Sequence, residues 1–324
     1  MTTAEPAMAA SLGGSSWPSA KTRLAGVIGH PVGHSLSPRL HQTAYRALGL
    51  DWAYLAFDVE PPAVEAAIQG ARALGAVGLS VTMPHKESAA RLATRRSTVV
   101  RRLGAANTLT FSGSQIAADN TDGTGLLADL RLEASFEPQG RRCAVIGAGG
   151  AARAVILALA EAGASEVLVV NRTRVRAFQA VALVPGRARV ARREELETAD
   201  LIVNATPASR PASSAGAGEA AERAAPAGAA GAAEAAEPAA AAAPSREDFV
   251  DSSRFGSGQL VVDLVYDPPI TEWLARAAAN GARVRGGLGM LVYQAALQIE
   301  LWTGSRPPLT EMWRAVGRPV ARPT

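Results

Sequence analysis

A glycine-rich turn between an apolar strand and an apolar helix constrains the fold of this chain more than any other feature. It covers residues 147–152 with the pattern G-x-G-x-x-A and follows the strand-like segment Arg142–Ile146. The first glycine permits a tight turn, the second lets the backbone approach an anion, and the small last residue lets the helix pack on the strand. We predict a dinucleotide-binding turn, with a purely structural turn as the alternative, and assign cofactor contacts to Gly147, Ala148, Gly149, Gly150 and Ala151.

Strand-like and helix-like segments alternate on both sides of this turn, which is typical of an α/β fold. We predict strands at residues 23–29, 52–59, 76–82, 105–110, 114–119, 142–146, 166–170, 201–205, 260–265 and near 283. We predict a first helix from residue 38, capped by Ser37, and further helices at 61–74, 126–140, 152–162, 271–280, 291–302 and 310–316. The alternation after residue 126 predicts a parallel, doubly wound sheet there.

Two segments lack any core-forming pattern. Residues 1–21 have neither the basic region nor the apolar region of a signal peptide, and we predict a disordered leader. Residues 208–247 are half alanine, and most of the others are Gly, Pro, Ser and Glu. Because such a segment buries too little apolar surface to offset its ordering entropy, we predict a disordered insertion without a function.

The composition argues against several classes of protein. No uncharged apolar run reaches the roughly 18 residues that a membrane helix needs, so we expect no membrane association. The net charge is only +4 and the arginines are scattered, so we expect no nucleic-acid partner. The single cysteine, Cys143, excludes an intramolecular disulfide, fits a cytoplasmic protein, and lies in an apolar strand where a buried thiol is expected.

Lysine is nearly absent from this chain. Its 33 basic side chains include only two lysines, Lys21 in the leader and Lys86 in the run Val-Thr-Met-Pro-His-Lys. Arginine stays charged at any usable pH, whereas a lysine in a cleft can release and recover a proton. We therefore predict Lys86 as an acid/base residue; a solvated surface lysine is the alternative.

The strand that follows the glycine-rich turn indicates which dinucleotide is bound. An NAD site usually ends this strand with a carboxylate that hydrogen-bonds the ribose 2′-hydroxyl. Here the strand is followed by Asn171, Arg172 and Thr173, and Arg176 comes soon after. Two guanidinium groups without a carboxylate suit a 2′-phosphate, so we predict NADP(H) as the cofactor. Two ordinary surface arginines are the alternative.

Polar residues in the first half form a second set. Ser35 and Ser37 place two hydroxyls at a helix start, which suits a carboxylate. Lys86 and Asp122 could form a charge pair, and three neutral side chains could bind a polyol: Thr82, Asn107 and Gln294.

Together with the glycine-rich turn and the segment Gly-Leu-Gly-Met-Leu-Val-Tyr-Gln-Ala-Ala at 287–296, these motifs closely resemble the shikimate dehydrogenase family, which includes shikimate/quinate dehydrogenases. The resemblance covers residues 24–317 apart from the insertion. It implies NADPH-dependent reduction of 3-dehydroshikimate to shikimate, in the pathway to chorismate and the aromatic amino acids. It also implies a substrate-binding domain at 22–125, completed by helices at 291–318, and a Rossmann-type NADP-binding domain at 126–290.

The resemblance implies a role for each matching residue. Lys86 and Asp122 match the catalytic pair, and Ser35 and Ser37 match the pair that binds the substrate carboxylate. The ring hydroxyls would be contacted by Thr82, Asn107 and Gln294, with Tyr266 as a cleft tyrosine. Further cofactor contacts are expected at Thr206 and Gly287. No metal is expected, since the four histidines form no convincing ligand set.

Two positions depart from the family pattern. Ser80 stands where many members have Asn, so the support of the cleft from that position should differ. The glycine that usually follows the segment Asn-Ala-Thr-Pro at 204–207 is missing, because the insertion begins there. Two alternatives to the implied activity are an NAD-dependent quinate/shikimate dehydrogenase and a non-catalytic, cofactor-sensing protein on the same scaffold. The sequence is compatible with a monomer or a homodimer.

Overall fold

Two six-stranded sheets organise the computed structural model, which describes residues 18–206 and 249–317. The elements of the first unit are β1 (Arg23–Gly29), α1 (Ser37–Ala47), β2 (Trp52–Asp58), α2 (Val64–Ala73), β3 (Gly78–Val81), α3 (Lys86–Leu92), β4 (Arg95–Arg96), α4 (Thr98–Leu103), β5 (Thr108–Ser112), β6 (Gln115–Asp119) and α5 (Asp122–Leu132). The strand order is β2-β1-β3-β5-β6-β4. β1 pairs in parallel with β2 and β3, while β5 pairs antiparallel with both β3 and β6.

The second unit follows α5 and contains a fully parallel sheet. Its elements are β7 (Arg142–Ile146), α6 (Gly150–Glu161), β8 (Glu166–Val170), α7 (Arg174–Val181), β9 (Ala188–Val190), β10 (Leu201–Asn204), β11 (Leu260–Asp263), α8 (Glu272–Ala279) and β12 (Arg283–Gly286). The order β12-β11-β10-β7-β8-β9 reverses direction between β7 and β10. Ligands of doubly wound sheets bind at the carboxyl ends of the strands at such a reversal. The predicted α/β fold is confirmed.

Two final helices return the chain to the first unit. They are α9 (Leu288–Thr303) and α10 (Leu309–Ala315). Val292, Ile299, Trp302 and Trp313 from these helices join the apolar core around β1 and α1. α9 also packs closely on α5, because Gly125 leaves no side chain between that helix and Gln294. The first and last parts of the chain therefore share one core.

Most predicted elements are present with ends shifted by a few residues, and three predictions were wrong in detail. The helix predicted at 126–140 begins at Asp122 and ends at Leu132. The helix after the glycine-rich turn begins at Gly150, two residues early. Ser37 is the first helical residue and not the cap. Its backbone amide donates a hydrogen bond to the Ser35 hydroxyl at 3.3 Å.

Several short elements were not predicted, namely α3, α4, α7, β4 and β9. α4 has local signals that explain it: the Ser97 hydroxyl caps its start by accepting from the Val100 amide, and Gly104 ends it with a left-handed φ of 62°. Residues 18–21 of the predicted leader form a turn in which Ser19 donates to Asp51 at 2.9 Å. The rest of the leader and the insertion at 208–247 lie outside the described residues.

The described helices include none that is long and apolar enough to cross a membrane. Cys143 is buried in β7 among apolar neighbours, as predicted. Burial raises the pKa of its thiol to about 12, so the inert neutral form prevails at physiological pH.

Candidate active site

Lys86 and Asp122 meet where the two units face each other. Each is the first residue of a helix, α3 or α5, and Lys86 Nζ donates to Asp122 Oδ2 at 2.5 Å. The Lys86 side chain is 14% exposed and that of Asp122 is 5% exposed. The positive end of the α5 dipole stabilises the Asp122 carboxylate. The predicted charge pair is therefore present and shielded from bulk water.

Asn107 orients the second oxygen of this carboxylate. Its amide oxygen accepts from the Thr121 backbone N–H at 2.8 Å, which turns its amide nitrogen toward Asp122. That nitrogen donates to Asp122 Oδ1 at 2.8 Å and to Thr121 Oγ1 at 2.9 Å. Gln294 Oε1 lies further away, at 3.3 Å. Because two N–H groups satisfy the two shorter bonds, the Gln294 oxygen keeps capacity for a ligand.

A buried chain of hydrogen bonds leads to the backbone carbonyl of Asn107. Tyr54 OH donates to Ser80 Oγ at 2.6 Å, and Ser80 Oγ donates to Gln298 Oε1 at 2.7 Å. Gln298 Nε2 then donates to the Asn107 carbonyl at 3.2 Å and to Thr108 Oγ1 at 3.0 Å. Ser80 thus accepts a hydrogen bond from Tyr54 and donates one to α9.

The predicted carboxylate and hydroxyl contacts line the same region. Ser37 is 6% exposed, Ser35 and Thr82 are half-buried, and Ser37 also hydrogen-bonds Tyr54. Thr82 follows β3, and its amide donates to Ile28 at 2.9 Å. A Cβ on Gly29 would lie 2.3 Å from the Thr82 methyl group, so only glycine permits this close approach.

Two buried histidines have packing roles. His85 Nε2 donates to the Val59 carbonyl at 2.6 Å, which ties the residue before Lys86 to the end of β2. His41 stacks on Tyr54 with ring centroids 4.0 Å apart. Burial lowers the pKa of His41 to about 3, so it is neutral under physiological conditions. Within the described residues, no cluster of His, Cys, Asp and Glu has the arrangement of a metal site.

The glycine-rich turn has the geometry that a dinucleotide requires. Gly147 adopts a φ of 121°, and a Cβ there would meet the Ala205 carbonyl at 3.2 Å. Gly149 precedes α6 in an extended conformation, and no side chain caps the helix start. The first backbone N–H groups of α6 are therefore open to a phosphate. Ala148 and Ala151, also predicted to contact the cofactor, are half-buried in this turn.

The other predicted cofactor residues lie along the same edge of the parallel sheet. After β8, Asn171 Nδ2 fixes the loop by donating to the Thr173 carbonyl at 2.8 Å, and Arg172 and Arg176 are exposed beside it. Among the described residues, no carboxylate pairs with either guanidinium. Both remain available to an anionic ligand.

Three further predicted residues follow β10, β11 and β12. Thr206 Oγ1 donates to the Asn204 side chain at 2.7 Å. Tyr266 is half-buried after β11. Gly287 is buried, and a Cβ there would lie 2.2 Å from the Leu264 carbonyl, so a larger residue would separate α9 from the sheet edge.

Several residues of this region were not predicted. Thr121 and Asn120 fix the loop before α5, since Asn120 Oδ1 accepts from the Asp122 amide at 3.1 Å. Both adjoin Asp122 in the run Asp-Asn-Thr-Asp, which was a signal in itself. Tyr54 and Gln298 lie far away in sequence and had no comparable signal.

The fold and the site define a dinucleotide-dependent dehydrogenase with two α/β units. The model of the shikimate dehydrogenase substrate binding domain matches residues 27–109. The family model for shikimate / quinate 5-dehydrogenase matches residues 130–229. The family model for the shikimate 5'-dehydrogenase C-terminal domain matches residues 287–316. The chain belongs to the shikimate dehydrogenase family.

Relatives match over nearly their whole length. The shikimate dehydrogenase (NADP(+)) of Methanopyrus kandleri is 41% identical, with 92% of this chain and 96% of the relative covered. A crystal structure of shikimate 5-dehydrogenase from Thermus thermophilus in complex with NADP(H) and shikimate is 33% identical, with a TM-score of 0.73 over 91% of this chain and 98% of that chain. The shikimate dehydrogenase of Aquifex aeolicus is 30% identical, with a TM-score of 0.77 over 93% and 99% of the two chains.

Proposed function

We propose that this protein catalyses the reversible NADP-dependent reduction of 3-dehydroshikimate to shikimate. The observation that carries the proposal is the shielded Lys86–Asp122 pair, with Nζ and Oδ2 2.5 Å apart. It lies beside the dinucleotide turn, since a Cβ on Gly150 would be 3.4 Å from Lys86 Cδ. The names of the relatives, and the NADP(H) and shikimate bound to the Thermus protein, support this activity.

The substrate would be held mainly by side chains of the first unit. Ser35 and Ser37 would bind its carboxylate through hydroxyl groups and the start of α1. The ring hydroxyls would be bound by Thr82, Asn107, Tyr266 and Gln294. The Gln294 amide oxygen supports this assignment, because it keeps capacity for a ligand beside Asn107.

The cofactor would be held by the second unit. The open N–H groups at the start of α6 would bind the diphosphate, and Arg172 and Arg176 would bind the 2′-phosphate through charge-assisted hydrogen bonds. Asn171 and Thr173 would shape that loop, while Thr206 and Gly287 would line the nicotinamide end. When bound, NADPH supplies the hydride for the reduction.

Lys86 would donate and accept the proton of the reaction. As the ketone is reduced, negative charge develops on its oxygen, and an ammonium group there stabilises that charge and donates a proton. In the oxidative direction, neutral Lys86 would accept the proton of the substrate hydroxyl. Asp122 would keep Nζ in place, and Asn107 would keep the carboxylate in place.

We further propose that residues 22–125 and 291–318 form the substrate-binding domain, and residues 126–290 the cofactor-binding domain. The two separate sheets and the return of α9 to the first core support this division. The reduced thiol of Cys143 supports a cytoplasmic location. A light-scattering mass would decide between a monomer and a homodimer.

One activity screen tests the proposed function. Shikimate and quinate are each offered with NADP and with NAD, and NADP binding is measured separately. We expect the highest kcat/KM for shikimate with NADP. A higher value for quinate with NAD would replace this assignment by the alternative dehydrogenase. Absence of turnover in all four reactions, with NADP binding intact, would favour the cofactor-sensing protein.

A further inference from the structure

An ion pair connects the helix that begins at the dinucleotide turn with the helix that carries Lys86. Arg153 is the fourth residue of α6, and its side chain crosses to α3 in the other unit. There Arg153 Nη2 donates to Glu87 Oε1 at 2.5 Å. Glu87 directly follows Lys86, so Arg153 is fixed to the same helical turn as the lysine.

The energetics of this pair do not favour a purely stabilising role. The Glu87 side chain is 59% exposed, and half-exposed ion pairs contribute about 0–1 kcal/mol. The Arg153 side chain is only 19% exposed, and its Nε is buried without an acceptor among the described residues. A buried donor without a partner costs about 1–3 kcal/mol. The arrangement therefore adds little net stability to the fold.

The surroundings of Arg153 make α6 a rigid neighbour of the reacting pair. Gly150 lies against Lys86, one turn before Arg153. Gly123, next to Asp122, packs so closely on α6 that a Cβ would lie 2.7 Å from the Ala154 carbonyl. A displacement of the start of α6 would therefore move the dinucleotide turn relative to both Lys86 and Asp122.

A second ion pair offers a matched comparison on the same helix. Arg102 on α4 pairs with Glu161, the last residue of α6. It also joins the two units, but it lies at the end of α6 that is remote from the dinucleotide turn. The two pairs differ in their distance from Lys86 and in the exposure of the arginine side chain, which is 40% for Arg102 and 19% for Arg153.

We infer that Arg153 is a positioning residue for the reaction: through Glu87 it fixes Lys86 relative to the dinucleotide turn. This inference rests on the proposed function. Reacting groups lose up to about 100-fold in rate when they are misplaced by about 1 Å. Arg153 acts on the distance between Lys86 and the dinucleotide turn and not on the binding of either ligand. Its loss therefore lowers kcat and leaves the KM values for shikimate and NADP nearly unchanged.

The test compares Arg153→Met, Glu87→Gln and the double variant with Arg102→Met, in shikimate oxidation with NADP. We expect kcat to fall at least 10-fold in both single variants and no further in the double variant, since the two residues act as one unit. Arg153→Lys should retain more activity than Arg153→Met. Arg102→Met should keep the wild-type kcat, and the melting temperature should be the same for all folded variants.

Three results would overturn the inference: an unchanged kcat in Arg153→Met, an equal loss in Arg102→Met, or multiplying losses in the double variant. A rise in KM at constant kcat would assign Arg153 to ligand binding and also contradict it. Failure of the proposed function is distinguishable, because the wild-type protein would then not oxidise shikimate with NADP.

Discussion

Gly150 and Lys86 lie in contact across the boundary between the two units. A Cβ on Gly150 would be 3.4 Å from Lys86 Cδ and 3.6 Å from Lys86 Cβ. The stem of the lysine therefore packs on the same turn whose N–H groups are open to a phosphate. Because the stem is held there and Nζ is held by Asp122, little freedom remains for the ammonium group.

The first prediction concerns proton exchange at Lys86. Lys86→Arg keeps the positive charge but removes the ability to donate and accept a proton at usable pH. We expect kcat for shikimate oxidation to fall by about 100-fold or more, the range that general acid–base catalysis contributes. Lys21→Arg, which changes the only other lysine, should leave kcat unchanged. Near-normal turnover of Lys86→Arg would leave this residue with an electrostatic role alone.

The second prediction concerns the 2′-phosphate of the cofactor. Replacing Arg172 and Arg176 by Ala removes two charged donors, each worth about 1.5 kcal/mol or more. We expect the Kd for NADP to rise roughly 100-fold and the Kd for NAD to change little, as measured by titration. Arg174→Ala is the matched control, since this guanidinium lies over the ring of Phe178. Equal losses for NADP and NAD would contradict the assignment.

The third prediction concerns His41 and the pH dependence of stability. The pKa of this buried side chain is about 3 in the folded protein and about 6.5 in the unfolded chain. Between these values the unfolded state binds more protons, so the free energy of unfolding decreases as pH falls. From pH 6.5 to pH 4 this contribution amounts to about 3 kcal/mol.

Urea unfolding at these two pH values checks the third prediction. In His41→Gln the decrease should be smaller than in the wild type by about this amount, because the variant has no imidazole to protonate. An equal decrease in both proteins would show that acid sensitivity arises at other residues.

The fourth prediction concerns the close contact of α9 with α5. Asp129 is fully buried, and both of its oxygens accept from Arg285 Nε, at 2.8 and 2.9 Å. A Cβ on Gly289 would lie 1.7 Å from Asp129 Oδ1. We expect Gly289→Ala to lower the free energy of unfolding by about 1–3 kcal/mol, the usual cost of overpacking.

Gly70→Ala is the control for this substitution. Gly70 also lies within a helix, α2, but nothing lies within 4 Å of its Cβ position. Because alanine is the better helix former, this change should stabilise the protein by up to about 1 kcal/mol. Similar effects of the two substitutions in thermal unfolding would argue against the close contact at Gly289.

Some features of the fold depend on signals that are local in the sequence. The glycine-rich turn between β7 and α6 was predictable, because it depends on residues that are neighbours in sequence. The start of α5 was not, because Gly123 and Gly125 indicate a turn when viewed alone. In the fold they permit close packing on Ala154 and Gln294, so tertiary contacts override their low helix propensity.

The hydrogen-bond support of the site could not be predicted for a related reason. Ser80 receives a bond from Tyr54, 26 positions away, and donates to Gln298, 218 positions away. No pattern within a short window contains such pairs. Arg153 was overlooked because arginine is so common in this chain that composition does not distinguish it.

The return of α9 to the first core has a consequence for biosynthesis. During translation, β1, Lys86 and Asp122 are synthesised before the second sheet. The residues of α9 and α10 that cover the first core are synthesised after it. Trp302 is among these, and its indole N–H donates to the Leu109 carbonyl at 3.2 Å. A chain that stops before residue 288 would carry Lys86 and Asp122 without Gln298, which donates to the Asn107 carbonyl. If the proposed function holds, catalytic competence therefore requires that translation has passed residue 298.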